Sequence, residues 1–431
     1  MSILIPLILL LLALAGAPLF TVIAASALWG YYQTDVDLQA MAVSIYQVAE
    51  MPVLIAIPLF TFAGYLLGES KAPQRLVRIT DAFLGWMPGG LAIVALAACA
   101  LFTAFTGASG VTIVALGALL VPALAKAGYK ESFNLGLVTT SGSLGLLFAP
   151  SLPLILYGVV AQQMSLDSPV SIDDLFIAGL LPGGLMLFAL SLYSAWQARG
   201  QKDVEKEQHV FDKKEAWAAI KDCVWEIPLP FVILGGIYGG FFAVSEAAAL
   251  TAFYVLIVTV VIRREISLKE LPTVMRDSMK LVGAILLILA VSIASTNYMV
   301  DAGVPEQIFG YIQQHISNPF TFLLLLTIFL LILGMMLDIF SALVIMIPII
   351  LPIAVQYGIH PVHLGILFLA NMQLGYFTPP VGMNLFIASF RFNKPVMTLY
   401  RATIPFFFIL LTCVLIITYV PWLSLGLIGE G

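Results

Sequence analysis

The chain has 431 residues, of which 61% are hydrophobic and only 10% charged, and its mean hydropathy is +1.05. That balance excludes an ordinary water-soluble domain, and the length and continuity of the apolar runs exclude the short alternating strands of a membrane barrel. The net charge of -5 says little about partners, with membrane lipid and not nucleic acid the expected surround.

Lysine and arginine mark the cytoplasmic side of a polytopic membrane protein, and all 19 fall in the clusters 71–78, 126–130, 199–221, 263–280 and 391–401. The connections 30–50, 160–178, 239–245, 299–322, 356–364 and the tail after Pro421 carry acids or no charge and are placed outside. In chain order, the first apolar segment, 3–29, lacks a basic start and a small-residue cleavage site, so it reads as a retained anchor beginning in the cytoplasm. A crossing at 46–67 follows, then an amphipathic stretch, 71–84, suited to the headgroup plane. Residues 89–125 are too long for one span yet start and end at positive clusters. Their small, turn-forming centre, Thr106 to Gly110, fits a re-entrant helical hairpin opening inward.

Crossings are expected next at 133–159, 175–197, 227–239, 243–262 and 281–300, with 199–226 as a cytoplasmic connector and 268–279 and 304–316 as further in-plane segments. Residues 320–355 start and end at positive-free connections and carry Asp338 at their centre, which fits a second hairpin, opening outward. Crossings at 363–390 and 404–423 then leave the C-terminus outside, in the periplasm of a bacterial inner-membrane protein.

Two of these crossings are interrupted. L-G-Y-F-T-P-P-V-G-M-N-L-F-I-A-S at 374–389 breaks at two prolines, a glycine and an asparagine, and L-G-L-L-F-A-P-S-L-P-L-I-L-Y at 144–157 breaks at Pro150. In hydrocarbon the freed amides and carbonyls need partners, so such breaks persist where protein packs around them or where they face an ion or solute. An offset of 230 places Pro352 on Pro122, Gly358 on Gly128, Gly375 on Gly145 and Pro380 on Pro150. Since one hairpin opens inward and the other outward, the halves have opposite orientation. The expected fold is an all-α polytopic inverted repeat of the secondary-transporter type with two re-entrant hairpins, with repeats 1–198 and 227–431 and the site at their interface.

Small residues, hydroxyls and exposed carbonyls at the tips and breaks suit a hard cation, and half-helix N-termini suit an anion. Sodium as the coupling ion, and no other cofactor, is expected at Ser109, Gly110, Ser141, Gly142, Asp338, Thr378, Pro379, Gly382 and Asn384. A solute is expected at Ser109, Ser143 and Asn384. Glycine and serine also let membrane helices pack closely, and for Asp338 ion coordination and hairpin stabilisation both stay open. Glu246, in the first turn of S-E-A-A-A, reads as a favourable helix-dipole charge. His360 and His363 flank a loop proline and read as incidental. Three cysteines, Cys99, Cys223 and Cys413, give neither a disulfide framework nor a metal spacing. The absence of G-x-x-x-x-G-K-[ST] and H-E-x-x-H motifs excludes the usual nucleotide coupling and a zinc protease.

F-T-G-A-S-G at 105–110, V-S-I-D-D-L-F-I-A-G-L-L-P-G at 170–183, G-G-I-Y-G-G-F-F-A-V-S-E-A-A-A at 235–249 and T-P-P-V-G-M-N-L-F at 378–386 resemble the large membrane subunit of tripartite ATP-independent periplasmic (TRAP) transporters. The resemblance covers essentially the whole chain and implies a sodium-coupled, non-enzymatic elevator carrier of organic acids such as C4-dicarboxylates or sialic acid. It also implies a small four-helix membrane subunit (Q-type) and a periplasmic substrate-binding protein (P-type) as partners. Gly375-Tyr376-Phe377 and Phe148-Ala149-Pro150-Ser151 depart from the family's usual smaller aliphatic residues and double proline. The rival readings are a stand-alone sodium/carboxylate symporter, or a membrane enzyme or channel.

Overall fold

The computed structural model describes residues 4–34, 36–87, 89–164, 170–199, 212–316 and 318–429, and among them every regular element is a helix. Residues 200–211 of the expected connector lie outside this set. The expected crossing at 3–29 is two helices, α1 (Leu4–Leu14) and α2 (Leu19–Gln33). Gly16, at φ +87°, turns the chain out of α1, and Pro18 opens α2. After α3 (Gln39–Ala49), a 3₁₀ turn from Pro52 runs into α4 (Ala56–Glu69), and α5 (Ala72–Leu84) is the first arm. A hairpin follows, α6 (Gly90–Thr106) and α7 (Ser109–Lys126), its tip made by Gly107 at φ +65° and the extended Ala108. With so short a link the two helices must run antiparallel and touch.

Next come α8 (Glu131–Ser141), a 3₁₀ turn at Leu144–Leu147 and α9 (Leu152–Gln162), a span bent by 41°. Then follow α10 (Ile172–Ala178), α11 (Leu180–Arg199) and α12 (Lys213–Asp222), the last capped by the Asp212 carboxylate. The expected crossing at 227–239 is the 11-residue α13 (Pro228–Tyr238), well short of the ~20 residues a span needs. Prolines at its start and Gly239-Gly240 at its end bracket it. α14 (Val244–Leu256) continues into a π turn at Ile257–Ile262. The in-plane segment at 268–279 and the crossing at 281–300 form one helix of 31 residues, α15 (Leu271–Asp301). No proline lies near their junction, Gly283 is accommodated within the helix, and Lys280 extends its charge sideways to an Asp277 partner without interrupting the backbone.

The second set is α16 (Val304–His315), the hairpin α17 (Pro319–Met336) and α18 (Ile339–Gln356), the broken pair α19 (Pro361–Gly375) and α20 (Met383–Phe392), then α21 (Val396–Tyr419) and the short α22 (Trp422–Leu425). By length and composition, eight helices of the described residues suffice to cross a membrane, or nine counting the bent pair.

Adding 230 to the bounds of α7 gives those of α18, and α6, α8 and α9 fall likewise on α17, α19 and α20. Packing follows the same correspondence: α7 lies against α20 while α18 lies against α9, and α2 lies against α15 while α14 lies against α4. Such swapped pairs are what a two-fold axis between halves produces. Close backbone approach repeats too. A Cβ on Gly145 would meet the Ala100 carbonyl at 2.2 Å, and one on Gly375 would meet the Gly334 backbone at 2.5 Å. Between membrane helices, where lipid competes equally for apolar surface, contacts of this kind hold the packing together.

Candidate functional site

The two tips and two breaks converge, and each is built by local sequence. α6 ends because Gly107 adopts a left-handed conformation, so Ser109 starts α7 with its side chain turned inward. Ser109 is 6% exposed, and its hydroxyl donates to Asn384 Oδ1 at 2.8 Å. Asn384, fully buried in the first turn of α20, donates through Nδ2 to the Thr139 carbonyl at 3.3 Å. The first tip, the second break and α8 thus meet at one amide. Gly110 packs beside them: a Cβ there would lie 2.6 Å from Ile387 Cδ1.

At the first break, Gly142 offers its carbonyl to the Thr103 hydroxyl at 2.9 Å, and Thr103 also shares a 2.6 Å hydrogen bond with Thr112. The Ser141 hydroxyl is turned back on the Val138 carbonyl of its own helix. Ser143 and Gln373 occupy equivalent positions and bond to each other: Gln373 Nε2 donates to the Ser143 carbonyl at 2.6 Å, and the Ser143 hydroxyl to the Gln373 carbonyl at 3.4 Å. Only residues on the axis relating two repeats can meet their own counterparts, so the axis passes between these two.

The second tip is chemically different. Asp338, half-buried, caps α18 by accepting from the Phe340 and Ser341 amides, each at 3.0 Å, and from the Ser341 hydroxyl. The next free amide, Ile339, donates to the Tyr376 hydroxyl at 2.6 Å. The positive end of α18 is therefore occupied by protein oxygens, whereas α7 has no side-chain cap at all. At the second break, the Gly382 amide donates to the Met335 carbonyl at 3.1 Å, the Asn384 amide to Tyr376 O at 2.9 Å, and the Thr378 hydroxyl to Leu374 O at 2.7 Å. Pro379 and Pro380 are exposed, and the Pro380 carbonyl is held by the Tyr400 hydroxyl.

Ser109, Gly110 and Asn384 are thus brought together with Thr139. Ser143 stands on the axis, Asp338 in a cap, and Thr378, Pro379 and Gly382 on the far side of the second break. Several residues here escape a reading of the sequence. Asn371 Oδ1, Gln373 Oε1, Thr139 Oγ1 and Thr106 Oγ1 are buried and have no hydrogen-bond partner in the protein. Amide oxygens can only accept, and a buried acceptor left bare costs about 1–3 kcal/mol, so oxygens of this kind fit a cation or a bound solute. Their signal was present in A-N-M-Q-L-G, two amides in an apolar run, directly upstream of the conspicuous prolines. No group of three or more His, Cys, Asp or Glu among the described residues could hold a metal. A hard monovalent ion held by neutral oxygens needs no such group.

A family model described as the tripartite ATP-independent periplasmic transporter, DctM component, matches residues 5–423. The C4-dicarboxylate TRAP transporter large permease protein DctM of Rhodobacter capsulatus is 32% identical over 428 residues, covering 97% of each chain. The ectoine/5-hydroxyectoine TRAP transporter large permease protein UehC of Ruegeria pomeroyi is 33% identical, covering 96% of each. The isethionate TRAP transporter permease protein DctMQ of Oleidesulfovibrio alaskensis is 33% identical and longer, the match spanning 97% of this chain and 63% of that one. Among solved structures, the YdaH transporter of Alcanivorax borkumensis superposes with a TM-score of 0.62 at 14% identity, covering 90% of this chain and 88% of that one, a likeness of fold alone.

Proposed function

This chain belongs to the family of DctM components of tripartite ATP-independent periplasmic transporters, a multi-pass membrane permease and not an enzyme, and from that premise we propose that it imports an organic acid across a bacterial inner membrane, driven by sodium. Relatives named for C4-dicarboxylates, ectoine and isethionate support a small charged or zwitterionic solute, with a C4-dicarboxylate the first to test and sialic acid a further candidate. The longer DctMQ relative supports a small Q-type membrane subunit as a partner, and the family's description supports a periplasmic binding protein that delivers the solute.

The observation that carries this reading is the set of bare buried oxygens on α6, α8 and α19, one of them on Thr139, whose carbonyl accepts from the Asn384 amide that holds Ser109. Thr106, Thr139, Asn371 and Gln373 would hold a sodium ion through oxygen atoms that no donor in the protein reaches. The uncapped amides of α7 at Ser109 and Gly110 then face a carboxylate with the helix dipole behind them. α18 is closed to that role because Asp338 and Tyr376 already accept its amides, so Asp338 acts by holding the second tip in shape. The residues 89–160 and 320–391 form the moving unit. α11 and α21 travel with it, since a Cβ on Gly136 would strike the Ala402 backbone and the rings of Phe133, Tyr193 and Phe406 are mutually packed. α4, α14 and α15 are the static scaffold.

The test is uptake of a labelled C4-dicarboxylate into vesicles carrying this chain, its small subunit and the binding protein, with sodium or potassium outside. Asn384→Ala is expected to abolish most of the sodium-dependent flux while the protein still inserts and purifies. Full sodium-dependent flux in that variant would overturn the site. Flux without any binding protein would favour the stand-alone symporter.

A further inference from the structure

We propose that Arg75 is a positioning residue of the transport cycle: held between Glu226 and Glu265, it clamps the first arm helix, α5, to the static scaffold, so that movement of the hairpin is taken up by the turn between Leu84 and Gly90. This rests on the mobile-unit reading above.

Arg75 is only 5% exposed on the cytoplasmic side, yet it is fully charged and engaged through every guanidinium nitrogen. Its Nε and Nη2 donate to Glu226 Oε1 at 2.8 and 2.5 Å, Nη2 also to Glu265 Oε2 at 3.1 Å, and Nη1 to Glu265 Oε1. Glu265 accepts in addition from the Lys71 amide at the start of α5, at 2.9 Å. The Cys223 thiol donates to the Arg75 carbonyl, and one turn further along, Arg78 reaches Glu215 and Asp222 of α12 at 2.9 and 3.0 Å. Three segments distant in sequence therefore meet: the arm α5, the end of α12 with the turn into α13, and the turn after the π segment. The last two lie at either end of α13 and α14, and α14 is packed on α4.

The counterpart arm, α16, carries Pro305 where α5 carries Arg75. Like α5 it packs on its own hairpin, here through the Tyr357 hydroxyl donating to Ile316 O at 2.6 Å and the Phe309 ring against Tyr357, but among the described residues it has no buried ion pair there. Both arms touch their hairpins, and the first is tied to the scaffold by charge as well. A helix serving only to link two bodies has no need of a buried bifurcated guanidinium. A helix that must stay still while its neighbour slides does, because a directional, multiply bonded pair fixes rotation as well as position.

The experiment compares the wild-type complex with Arg75→Met/Glu226→Gln/Glu265→Gln, which removes the charges together and so leaves no unpaired buried ion, and with Arg75→Lys. Nitroxides at Gln74→Cys and Lys214→Cys, both exposed, report the arm's distance from α12, the native cysteines being buried. We expect a narrow distance in the wild type. In the neutral triple variant we expect a broad distance and about tenfold slower uptake of labelled C4-dicarboxylate at unchanged KM, with the melting temperature close to wild type. A narrow distance or wild-type uptake in that variant overturns the clamp. If it fails to fold, Arg75→Lys decides in the same way, by broadening and slowing or by neither. Absence of uptake in the wild type would instead count against the transport reading, and the distance measurement would still decide the clamp.

Discussion

The Ser109 hydroxyl and Asn384 Oδ1 satisfy each other in a buried place, so removing one strands the other. Ser109→Ala leaves Asn384 Oδ1 without its donor, and the expected cost is about 1–3 kcal/mol, to be read as a lower unfolding temperature of the purified protein, with sodium-dependent uptake falling in parallel. Arg75→Met alone differs from the neutral triple change, because it leaves two buried carboxylates facing one another. That loss is about 3–5 kcal/mol and should show as aggregation on extraction. The charge on Glu265 also sets a pH limit. Burial by itself would raise its carboxyl, but hydrogen bonds from Arg75 and the Lys71 amide and the charges of Arg75 and Arg263 outweigh it, leaving the group below its usual value of 4.5. A carboxyl depressed by folding contributes stability above the unfolded value and loses it as pH falls through the folded one. The wild type should therefore lose unfolding temperature below pH 4.5 more steeply than Glu265→Gln, and parallel curves would refute the assignment.

At the scale of the helix, the packing glycines separate into two classes. Gly145 and Gly375 face backbone at 2.2 and 2.5 Å, whereas Gly283 in α15 has nothing within 4 Å of a built Cβ. Alanine at either of the first two positions must push helices apart, an overpacking of about 1–3 kcal/mol, while Gly283→Ala should be neutral or stabilise by up to about 1 kcal/mol. Unfolding curves of the three variants in one detergent check this. The same contrast explains what the sequence revealed of the elements. Hairpin tips were readable because a turn in hydrocarbon demands small or capping residues at a fixed place, and Gly107 and Asp338 supply them. The split of the first segment at Gly16 and Pro18 went unread because both residues are ordinary within a membrane span. α13 is a helix of only 11 residues because prolines open it and Gly239-Gly240 close it, limits that apolar composition does not register. α15 was divided because charges near Lys280 resemble a boundary, although backbone hydrogen bonding is indifferent to them.

For the whole molecule, positive charge predicts an orientation, with the C-terminus outside and the connector 200–211 inside. A periplasm-active reporter fused after residue 431 should be active, and the same reporter inserted within 200–211 should be silent. The reverse result would invert every statement about inside and outside. What sequence could not announce at this scale was the meeting of Ser143 with Gln373 or of Asn384 with Thr139, because no local pattern records a neighbour more than two hundred positions away. The breaks themselves were visible, and their mutual completion was not. The reason is geometric: each half leaves its own polar groups bare and finds their partners only on the other.

The junction of Ser109 with Asn384 has no polar twin, since the positions 230 away from them are Ile339 and Leu154, both buried. Two copies of the first half, joined as the present halves are, would set the Ser109 hydroxyl against the aliphatic Leu154. Two copies of the second would set the Asn384 amide against Ile339. Either homotypic pair would shut a lone dipole in oil, while the mixed pair satisfies it. The two halves are therefore complementary and not interchangeable at this junction.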